Sequence, residues 1–507
     1  MSLLGIDVGT TGCKVVLFNQ EGHQMASAYE EYDIQRPQPG WAELDDVEVW
    51  EKVKRCIRTA ALGAQGDPIQ ALAVCSLGEA TVPLSTERQI LGPSLLNFDA
   101  RGAEYLPELG SALSAERLYQ INGNTLGNHF SLTKLLWIKH HQPELYARTA
   151  FFLHWGSAIT YLLGAEPVLD YSLANRSLLF DLEQGDWSDE LLAATQLERA
   201  KLPRTVPSGT AIGQVAPTIA SELGLPQNVV IVTGAHDQCA NAVGAGVISS
   251  GQAMYGMGTY ICIVPVFDTR RPADVMIARG LNTEHHAAPG CYVSFIYNQG
   301  GALLKWYRDT FAPLERLQAR QTGTDIYREL LAEMPLGPSS VLALPHFTST
   351  GPPEFISDSS GVLAGLRLET SRGSILKGLL EGATYYLREC VEALPQTGIE
   401  IEGYRAVGGG SKSDAWIQLS ADILQRPFAR PQVTEAGALG AAILAGTGCG
   451  IFANVEEGVA SMVRIERTYQ PDESLGTRYS ERYAQYRQLY PALRNLLHSL
   501  AEDTENV

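Results

Sequence analysis

The sequence predicts a mixed α/β fold made of more than one domain, and three observations lead to this expectation. The chain has 507 residues, and at roughly 100–200 residues per domain this length corresponds to two to four domains. Two strand–turn–strand segments of similar design lie near residues 10 and 258. Segments with apolar side chains at helical spacing lie between and after them. The repeated hairpin indicates a duplicated architecture, which we divide into residues 1–248 and 249–507.

The chain opens with a predicted meander of antiparallel strands. Two β-rich runs, residues 3–8 and 13–18, flank a Gly-Thr-Thr-Gly turn at residues 9–12. A second turn follows at residues 19–22, which favours a meander over a strand that leads into a helix. Farther along, Asp45 precedes apolar residues at helical spacing, so we expect an aspartate cap at the start of an amphipathic helix.

The middle of the chain repeats this design. Residues 227–234 are typical of a short buried strand that ends in a turn, and residues 235–244 are typical of the first turns of a helix rich in small residues. Residues 253–264 then predict a strand, a Gly-Thr turn and a second strand. Each half of the chain therefore contains one glycine–threonine hairpin.

A third glycine-rich segment lies in the C-terminal half. Three consecutive glycines at residues 408–410 precede a predicted helix over 416–424, which Pro427 ends. Residues 435–446 predict another helix, and its small side chains allow a close approach by a neighbouring element.

Composition and charge exclude several classes of function. The chain has 38 Lys plus Arg and 56 Asp plus Glu, a formal net charge of −18. This balance argues against a nucleic-acid or anionic-membrane surface, since both require basic faces. The eight cysteines have no CxxC spacing, which argues against a structural zinc site or a redox pair. With no secretory signal and no apolar run of about 20 residues, we expect a cytoplasmic protein.

The first hairpin has groups that suit phosphate oxygens. Its turn carries the hydroxyls of Thr10 and Thr11 and backbone N–H groups, and Lys14 follows. Asp7 lies where a magnesium ion or its waters could be held. The alternative is an ordinary hairpin in which threonine is merely a good strand residue. The turn alone leaves both interpretations open.

Other motifs favour the interpretation of the first hairpin as part of a nucleotide-binding site. Gly258 and Thr259 form a second hydroxyl-bearing turn, and the three glycines at 408–410 offer a flat surface for a nucleotide. The chain has no GxxxxGK[ST] loop, no HRD or DFG set and no GxGxxG after the first strand. P-loop nucleotidases, protein kinases and dinucleotide-binding enzymes are therefore disfavoured.

In combination these motifs resemble the FGGY family of carbohydrate kinases, which phosphorylate sugars and polyols. The match extends over nearly the whole chain, and within the family it is xylulokinase-like. The segments that carry it are residues 7–14, 40–43, 234–238, 258–259, 300–302 and 408–414, then Trp416, Gln418, Ala421 and Asp422, and residues 435–440. The resemblance implies two α/β domains of the actin/Hsp70/hexokinase ATPase type, each built on a five-stranded ribonuclease-H-like sheet. ATP would lie mainly on the C-terminal side of the cleft and sugar on the N-terminal side.

Asp237 is the candidate general base. Phosphoryl transfer needs little more from the protein than one carboxylate placed to accept the proton of the sugar hydroxyl, and the resemblance assigns this role to the same motif. The alternative is an aspartate that only caps a helix. Its position at a predicted helix N-terminus is expected to keep it ionised near neutral pH.

The resemblance also implies which residues bind ATP and magnesium. Asp7 would orient Mg²⁺, through water. The phosphates and the adenosine would contact residues from all three glycine segments and from the Gly300 turn, namely Thr10, Thr11, Lys14, Gly258, Thr259, Gly300, Gly301, Gly409, Gly410, Ser413 and Asp414.

For the acceptor, the resemblance points to residues after an N-terminal strand and beside the base. These are Gly78, Glu79, Asp99, Arg101, Asp237 and Gln238. An alternative for Glu79, Asp99 and Arg101 is a solvated surface charge. Glycerol kinases carry arginine where this chain has Gly78, and the Met-His pair of xylulokinases is absent. The sequence therefore leaves both glycerol and xylulose in question as the acceptor.

The expected function is ATP-dependent phosphorylation of a small sugar, with a ketopentose such as xylulose as the acceptor. Alternatives are a kinase for glycerol, erythritol or gluconate, or an actin/Hsp70-like ATPase switch without sugar phosphotransfer. The expected partners are a small sugar or polyol and, in a homodimer, a second copy of the chain, with no nucleic acid and no membrane. The pairs His140–His141 and His285–His286 are assigned no metal, since adjacent helical residues point about 100° apart.

Overall fold

The computed structural model describes residues 1–64 and 66–505 as a mixed α/β structure with two large sheets. Residues 65, 506 and 507, which fall within the two predicted domains, lie outside the described residues. Over the described ranges, no helix combines the length and the apolar character needed to cross a membrane.

The first half of the chain supplies one large sheet and the helices around it. Its strands are β1 (Ser2–Val8), β2 (Gly12–Asn19), β3 (Gln24–Glu31), β4 (Glu43–Leu44), β5 (Ile69–Ser76), β6 (Thr81–Leu84), β7 (Ser94–Leu95), β8 (Phe151–His154), β9 (Val168–Asp170), β10 (Phe180–Asp181), β11 (Asp186–Trp187), β12 (Arg204–Val206), β13 (Ala211–Gln214) and β14 (Val230–His236). Its helices are α1 (Asp46–Ala61), α2 (Leu106–Ala112), α3 (Ala115–Asn122), α4 (Ser131–His141), α5 (Pro143–Arg148), α6 (Trp155–Leu163), α7 (Tyr171–Asn175), α8 (Asp189–Thr195), α9 (Pro217–Leu223) and α10 (Asp237–Gly244).

The second half supplies the other large sheet and the remaining helices. Its strands are β15 (Gly251–Met257), β16 (Tyr260–Phe267), β17 (Glu284–His285), β18 (Tyr292–Val293), β19 (Ile296–Gln299), β20 (Leu342–Leu344), β21 (Val362–Ala364), β22 (Ile401–Val407), β23 (Phe428–Pro431) and β24 (Ile465–Tyr469). Its helices are α11 (Ala273–Ile277), α12 (Gly301–Phe311), α13 (Pro313–Thr322), α14 (Ile326–Ala332), α15 (Arg372–Glu392), α16 (Asp414–Leu424), α17 (Ala436–Gly448), α18 (Val455–Met462), α19 (Glu473–Tyr486) and α20 (Leu489–Glu505).

The first large sheet contains the predicted N-terminal meander. Its strand order is β13-β14-β5-β1-β2-β3. Strand β1 pairs antiparallel with β2 and parallel with β5, and this register places Asp7 between Lys14 and Cys75. Strand β14 also runs parallel to β5. The carboxyl ends of β1, β5 and β14 therefore meet at one edge of the sheet, the usual location of ligand sites in α/β folds.

The second large sheet repeats this arrangement. Its order is β17-β18-β16-β15-β22-β23-β24, and β19 also pairs with β16. Strand β15 runs antiparallel to β16 and parallel to β22, as β1 does to β2 and β5. The predicted α/β fold with a duplicated hairpin is confirmed. The sheets are larger than the expected five strands, because β13 extends the first and β17, β18 and β24 extend the second.

Two helices with small side chains join the halves of the chain. Helix α17 packs against α10 and against the first sheet through β1 and β5. A methyl group built on Gly440 would lie 1.9 Å from the carbonyl oxygen of Ala240, and one on Gly244 would lie 1.9 Å from that of Ala436. We call the contact of Gly244 and Gly440 with these carbonyls the glycine seam. It confirms the prediction that the small residues of 435–446 allow a close approach.

Two predicted helix starts can be compared with the structure. Asp45 caps α1, and its side chain accepts a hydrogen bond of 3.0 Å from the backbone N–H of Glu48. The helix expected from residue 235 begins later, because β14 continues to His236 before α10 starts at Asp237. The carboxylate of Asp237 therefore projects from the junction of a buried strand and a helix.

Candidate active site

Asp237 is the first residue of α10 and follows β14 directly. Its side chain is 26% exposed, so it is held in the fold but accessible. Its Oδ1 atom is buried without a hydrogen bond from any described residue, although Nε2 of His236 lies 3.2 Å away. The backbone N–H of His236 is fixed by a 2.9 Å hydrogen bond to Oγ of Ser172. The junction thus presents a carboxylate oxygen with unused acceptor capacity.

The ionisation of Asp237 differs from the sequence-based expectation. Burial, followed by the negative charges of Asp7 and Glu79, raises the pKa of Asp237 to about 7, against a smaller opposing effect of hydrogen bonds involving Gln238. The helix N-terminus was expected to keep this carboxyl ionised near neutral pH, whereas a pKa of about 7 leaves its protonated form populated there as well. Desolvation and like charges outweigh the helix terminus. At pH 7 the carboxyl is about half protonated, in the range that suits a general base.

The first hairpin turn is closed by its own backbone. The N–H of Gly9 donates to the carbonyl of Gly12 at 2.9 Å, and the hydroxyl of Tyr32 donates to the carbonyls of both glycines. The hydroxyls of Thr10 and Thr11 make no hydrogen bond with the described part of the chain, and both residues are at least partly exposed. They are therefore available to an external acceptor or donor.

Lys14, expected to contact phosphate, already has protein partners. Its Nζ lies 2.6 Å from Oε2 of Glu435, the residue that precedes α17, and 5.4 Å from the ring centre of Tyr29. The ion pair links the first hairpin to the start of α17. A bound phosphate would compete with Glu435 for this ammonium group.

Asp7 occupies the carboxyl end of β1, beside the start of α17. A methyl group on Gly437 would lie 2.9 Å from Oδ2 of Asp7 and 3.4 Å from Oδ1 of Asn241, so only glycine leaves this space open. Burial raises the pKa of Asp7 to about 6. Asp7 and Asp237 repel each other electrostatically, and such hard oxygen donors fit a magnesium ion. Among the described residues no group of three His, Cys, Asp or Glu side chains forms a metal cage.

The largest cavity near the second hairpin has a volume of about 870 Å³ and lies between this hairpin, α12, α14 and the start of α16. We call it the nucleotide cavity. Most of the residues predicted to bind ATP on the C-terminal side line it. They are Gly258, Thr259, Gly301, Gly409, Gly410, Ser413 and Asp414.

Backbone hydrogen bonds shape the mouth of the nucleotide cavity. The N–H of Gly301 donates to the carbonyl of Gly258 at 2.9 Å, and a methyl group on Gly301 would lie 2.5 Å from that oxygen. A methyl group on Gly409 would meet nothing within 4 Å, so this glycine faces open space. Gly410 differs, because a methyl group there would lie 2.7 Å from the ring of Trp416.

Three of the predicted nucleotide residues have additional or different roles. Gly300 is buried against the side chain of Ile261 and does not line the nucleotide cavity. Ser413 caps α16 through its hydroxyl. Asp414 lines the cavity, but its carboxylate is held by Arg430, Arg467 and the hydroxyl of Tyr469. Hydrogen bonding by that hydroxyl and by the guanidinium of Arg430 lowers the pKa of Asp414.

Sequence reasoning missed one wall of the nucleotide cavity. Helix α14 contributes Tyr327, Arg328 and Leu331 to the lining. These residues lie in a helix with no glycine motif, some 70 residues after the second hairpin. Their helical spacing and the Asp325 cap predict a helix and nothing about a ligand.

Glu79 lies in the loop between β5 and β6 and is bound by a buried arginine that sequence reasoning also missed. Nε and Nη2 of Arg176 both donate to Oε1 of Glu79, and Nη1 donates to Oε1 of Glu284 at 2.6 Å. We call Glu79, Arg176 and Glu284 the acceptor triad. Their side chains are 8%, 11% and 0% exposed. Burial raises the pKa of Glu284, and Arg176 opposes this shift.

Asp99 and Arg101 form a separate buried pair. Nη2 of Arg101 lies 2.6 Å from Oδ2 of Asp99 and 2.7 Å from Oε2 of Glu43, and its guanidinium lies 4.0 Å from the ring centre of Trp41. Nζ of Lys134 donates to the carbonyls of Asp99 and Arg101. This pair is not solvated surface charge, but within the described residues no hydrogen bond connects it to Asp237. Its direct contact with a sugar stays a prediction.

Comparison with known proteins links this geometry to one family. Residues 2–244 match the N-terminal domain, and residues 253–449 the C-terminal domain, of the FGGY family of carbohydrate kinases. Xylulose kinase of Bacillus subtilis (strain 168) is 26% identical over 506 residues, which cover 99% of each chain. Glycerol kinase of Aromatoleum aromaticum is 31% identical, covering 92% of this chain and 94% of that one. The crystal structure of xylulose kinase from Rhodospirillum rubrum superimposes with a TM-score of 0.85 at 27% identity, over 98% of this chain and all of that one.

Proposed function

Because the chain belongs to the FGGY family of carbohydrate kinases and is a sugar kinase, we propose that it transfers the γ-phosphate of ATP to a ketopentose such as xylulose. The observation that carries the mechanism is the position of Asp237. Its partly exposed carboxylate starts α10, and its raised pKa reports the charges of both Asp7 and Glu79. Asp7 belongs to the candidate phosphate side and Glu79 to the candidate acceptor side, and the charges of both act on Asp237.

In the proposed reaction Asp237 accepts the proton of the attacking hydroxyl. The hydroxyl oxygen forms a bond to the γ-phosphorus as the bond to the bridging oxygen of ADP breaks. The partial exposure of the Asp237 side chain supports this role. Glu79, whose charge acts on the base, and Gln238, the next residue in the sequence, orient the acceptor by hydrogen bonds to its other hydroxyls.

The two hairpins bind the phosphates from opposite sides in this proposal. Thr10 and Thr11 donate hydroxyls and turn N–H groups from the first half of the chain, and Gly258 and Thr259 do so from the second. Asp7 holds Mg²⁺ through water, and the ion, when bound, neutralises charge on the phosphate oxygens. Adenosine lies in the nucleotide cavity, with Gly409 as its flat contact. Because each half of the chain contributes one hairpin, we also propose the division into domains 1–248 and 249–507.

A polyol such as glycerol or erythritol is the second candidate acceptor. The glycerol kinase of Aromatoleum aromaticum has a higher identity to this chain than the xylulose kinase of Bacillus subtilis. Release of ADP, measured across ketoses, aldoses, polyols and sugar acids, separates these acceptors. ATP hydrolysis that no sugar or polyol stimulates would instead support an ATPase switch and overturn the proposal.

The Thr259→Val variant tests the second hairpin. Thr259 is exposed, and its hydroxyl makes no hydrogen bond with the described residues, so valine preserves the shape without disturbing the fold. We expect the KM for ATP to rise about tenfold, because a phosphate hydrogen bond is worth about 1.5–3 kcal/mol, with the acceptor KM nearly unchanged. Steady-state kinetics with each substrate varied in turn measures both. An unchanged KM for ATP would remove Thr259 from phosphate binding.

The pH profile tests the ionisation of the proposed base. A general base must be deprotonated, so activity is present above its pKa and lost below it. Since the pKa of Asp237 is raised to about 7, we expect kcat/KM for the acceptor to fall about tenfold per pH unit below about pH 7. Initial rates at saturating MgATP from about pH 5 to 9 measure this profile. A rate that is constant down to about pH 5 would contradict the assignment.

A further inference from the structure

The acceptor triad contains a positive charge that is already matched by two carboxylates. Arg176 follows α7 in the first half of the chain, whereas Glu284 belongs to β17 in the second. The guanidinium lies between the rings of Phe130 and Phe295, at 5.1 and 5.7 Å from their centres. This packing and the hydrogen bonds to both glutamates define one orientation for the guanidinium.

The triad lies directly beside the proposed base. A methyl group on Gly78 would lie 3.0 Å from Cγ of Arg176 and 3.0 Å from Nε2 of His236, the neighbour of Asp237. The absence of a side chain at residue 78 is therefore what allows Arg176 to reach Glu79. In the sequence, Gly78 counts as the loss of a polar side chain. In the structure, the side chain of Arg176, which comes from another element, occupies the space beside Gly78.

The hydrogen bonds leave one oxygen of Glu79 unused. Both bonds from Arg176 end on Oε1, and no described residue donates a hydrogen bond to Oε2. The loop is held in place separately, since Oγ of Ser131 donates to the carbonyl of Glu79 at 2.6 Å. A carboxylate oxygen that is oriented and unpaired suits the hydroxyl of a neutral polyol.

Among the residues that the structure describes, the cationic and histidine side chains near the triad are already bonded or neutral. Nζ of the buried Lys134 donates to two backbone carbonyls, those of Asp99 and Arg101. Burial lowers the pKa of His154 to about 3 and that of His236 well below its usual value, so both rings are neutral near pH 7. Among the described residues the surroundings of Glu79 and Asp237 are therefore net negative.

We propose that the acceptor triad makes this enzyme selective for neutral sugars or polyols over sugar acids, with Arg176 as the residue that positions Glu79. This inference rests on the proposed function and specifies the acceptor class of the same site. A sugar acid would bring its carboxylate into a site that contains the carboxylates of Glu79 and Asp237, and juxtaposed like charges disfavour binding. A neutral acceptor uses the same oxygens as hydrogen-bond acceptors.

The first test uses the unaltered enzyme with xylulose, erythritol and gluconate as acceptors. We expect kcat/KM for gluconate to be at least about 100-fold below that for the better neutral acceptor. A value for gluconate within about tenfold of the neutral acceptor, or above it, would overturn the inference while leaving sugar kinase activity intact. Absence of activity with all sugars and polyols would instead overturn the proposed function, so the two failures are distinguishable.

The second test alters the triad. In Arg176→Lys a single ammonium group cannot hold both carboxylates, so we expect the acceptor KM to rise about tenfold while the KM for ATP changes less than about twofold. In Glu284→Gln one of the two carboxylates that match the guanidinium loses its charge, so the triad becomes less negative, and we expect the ratio of gluconate to neutral-acceptor activity to rise about tenfold. The control is Arg117→Lys, whose surface partner is Glu190 in the same half of the chain.

The outcomes of the second test separate positioning from a purely structural role. A structural role predicts a lower thermal midpoint with acceptor KM unchanged, and that result for Arg176→Lys would overturn the positioning role. An unchanged acceptor ratio in a folded Glu284→Gln would overturn the charge argument. If Arg176→Lys does not fold, the wild-type acceptor comparison and Glu284→Gln still decide the matter.

Discussion

Asp237→Asn is expected to lower acceptor-dependent ADP formation by about 100- to 10,000-fold, the usual contribution of a general base. Asparagine has nearly the same shape but cannot take the proton of the hydroxyl. ATP binding should be retained, since the nucleotide cavity lies in the other half of the chain and does not include residue 237. Steady-state kinetics and calorimetric titration with ATP measure the two effects separately.

A second readout of Asp237→Asn is stability as a function of pH. The folded-state pKa of about 7 lies above the ordinary value of 3.8, so the ionised carboxylate destabilises the wild-type protein above pH 7. We expect the variant to melt at a higher temperature than wild type at about pH 8 and at nearly the same temperature at about pH 3, below both pKa values, where the wild-type carboxyl is mostly protonated in both states.

Asp46→Asn is a matched control for this variant. Asp46 is also a buried aspartate whose pKa burial raises, and it lies at the start of α1, where its Oδ1 accepts hydrogen bonds from Ser94. It should keep wild-type turnover. Near-normal turnover in Asp237→Asn itself would remove Asp237 from the mechanism.

Gly440→Ala is expected to cause the largest loss of stability among these variants, about 2–4 kcal/mol. The added methyl group would lie 1.9 Å from the carbonyl oxygen of Ala240, a backbone atom that cannot rotate away. Helices α10 and α17 would have to separate, and α17 is also packed on the first sheet. The thermal midpoint and the yield of soluble protein measure the effect.

Gly110→Ala is the control for this variant. Gly110 lies within α2, and the nearest atom to its added methyl group, Cδ2 of Leu126, is at an ordinary contact distance of 3.6 Å. Alanine in a helix is favoured over glycine by about 0.5–1 kcal/mol, so this variant should be as stable as wild type or more so. A wild-type thermal midpoint for Gly440→Ala would show that the glycine seam can open without cost.

The parts of the site that lie within contiguous motifs could be predicted from the sequence. The two hairpins, the glycine cluster and Asp237 each lie in a short segment whose local pattern indicates a strand end or a helix start. The family resemblance then connected segments that are far apart in the chain, and the family match now supports that connection. For these elements local pattern and global fold agree.

The parts that could not be predicted depend on long-range contacts. Arg176 and Glu284 are 108 positions apart, and neither lies in a recognisable motif. Gly78 was interpreted as a departure from glycerol kinases because they carry arginine at this position. The sequence does not show that Arg176, which is distant in the chain, lies beside Gly78 in space. The pKa of Asp237 was misjudged for the same reason, since burial and the charge of Asp7 are properties of the folded chain.

Asp99 and Arg101 illustrate a different limit of prediction from the sequence. A polar pair two residues apart resembles a ligand-binding element, yet the structure buries it beside Trp41 with its charges matched internally. The sequence contains no signal for that aromatic contact, because Trp41 lies some 60 residues away. Residue type and local spacing alone cannot separate a group that binds a sugar from one that supports the wall behind it.

The glycine seam has a consequence for how the molecule moves. Because α10 and α17 meet backbone to backbone, no layer of side chains lies between them that would let one helix slide past the other. The two helices should therefore move together as one rigid unit. Asp237 lies in the first turn of α10, whereas the nucleotide cavity is lined by residues outside both helices. When the cleft between the two halves opens and closes, the nucleotide would then move a long way, whereas the proton-accepting oxygen of Asp237 would stay almost stationary.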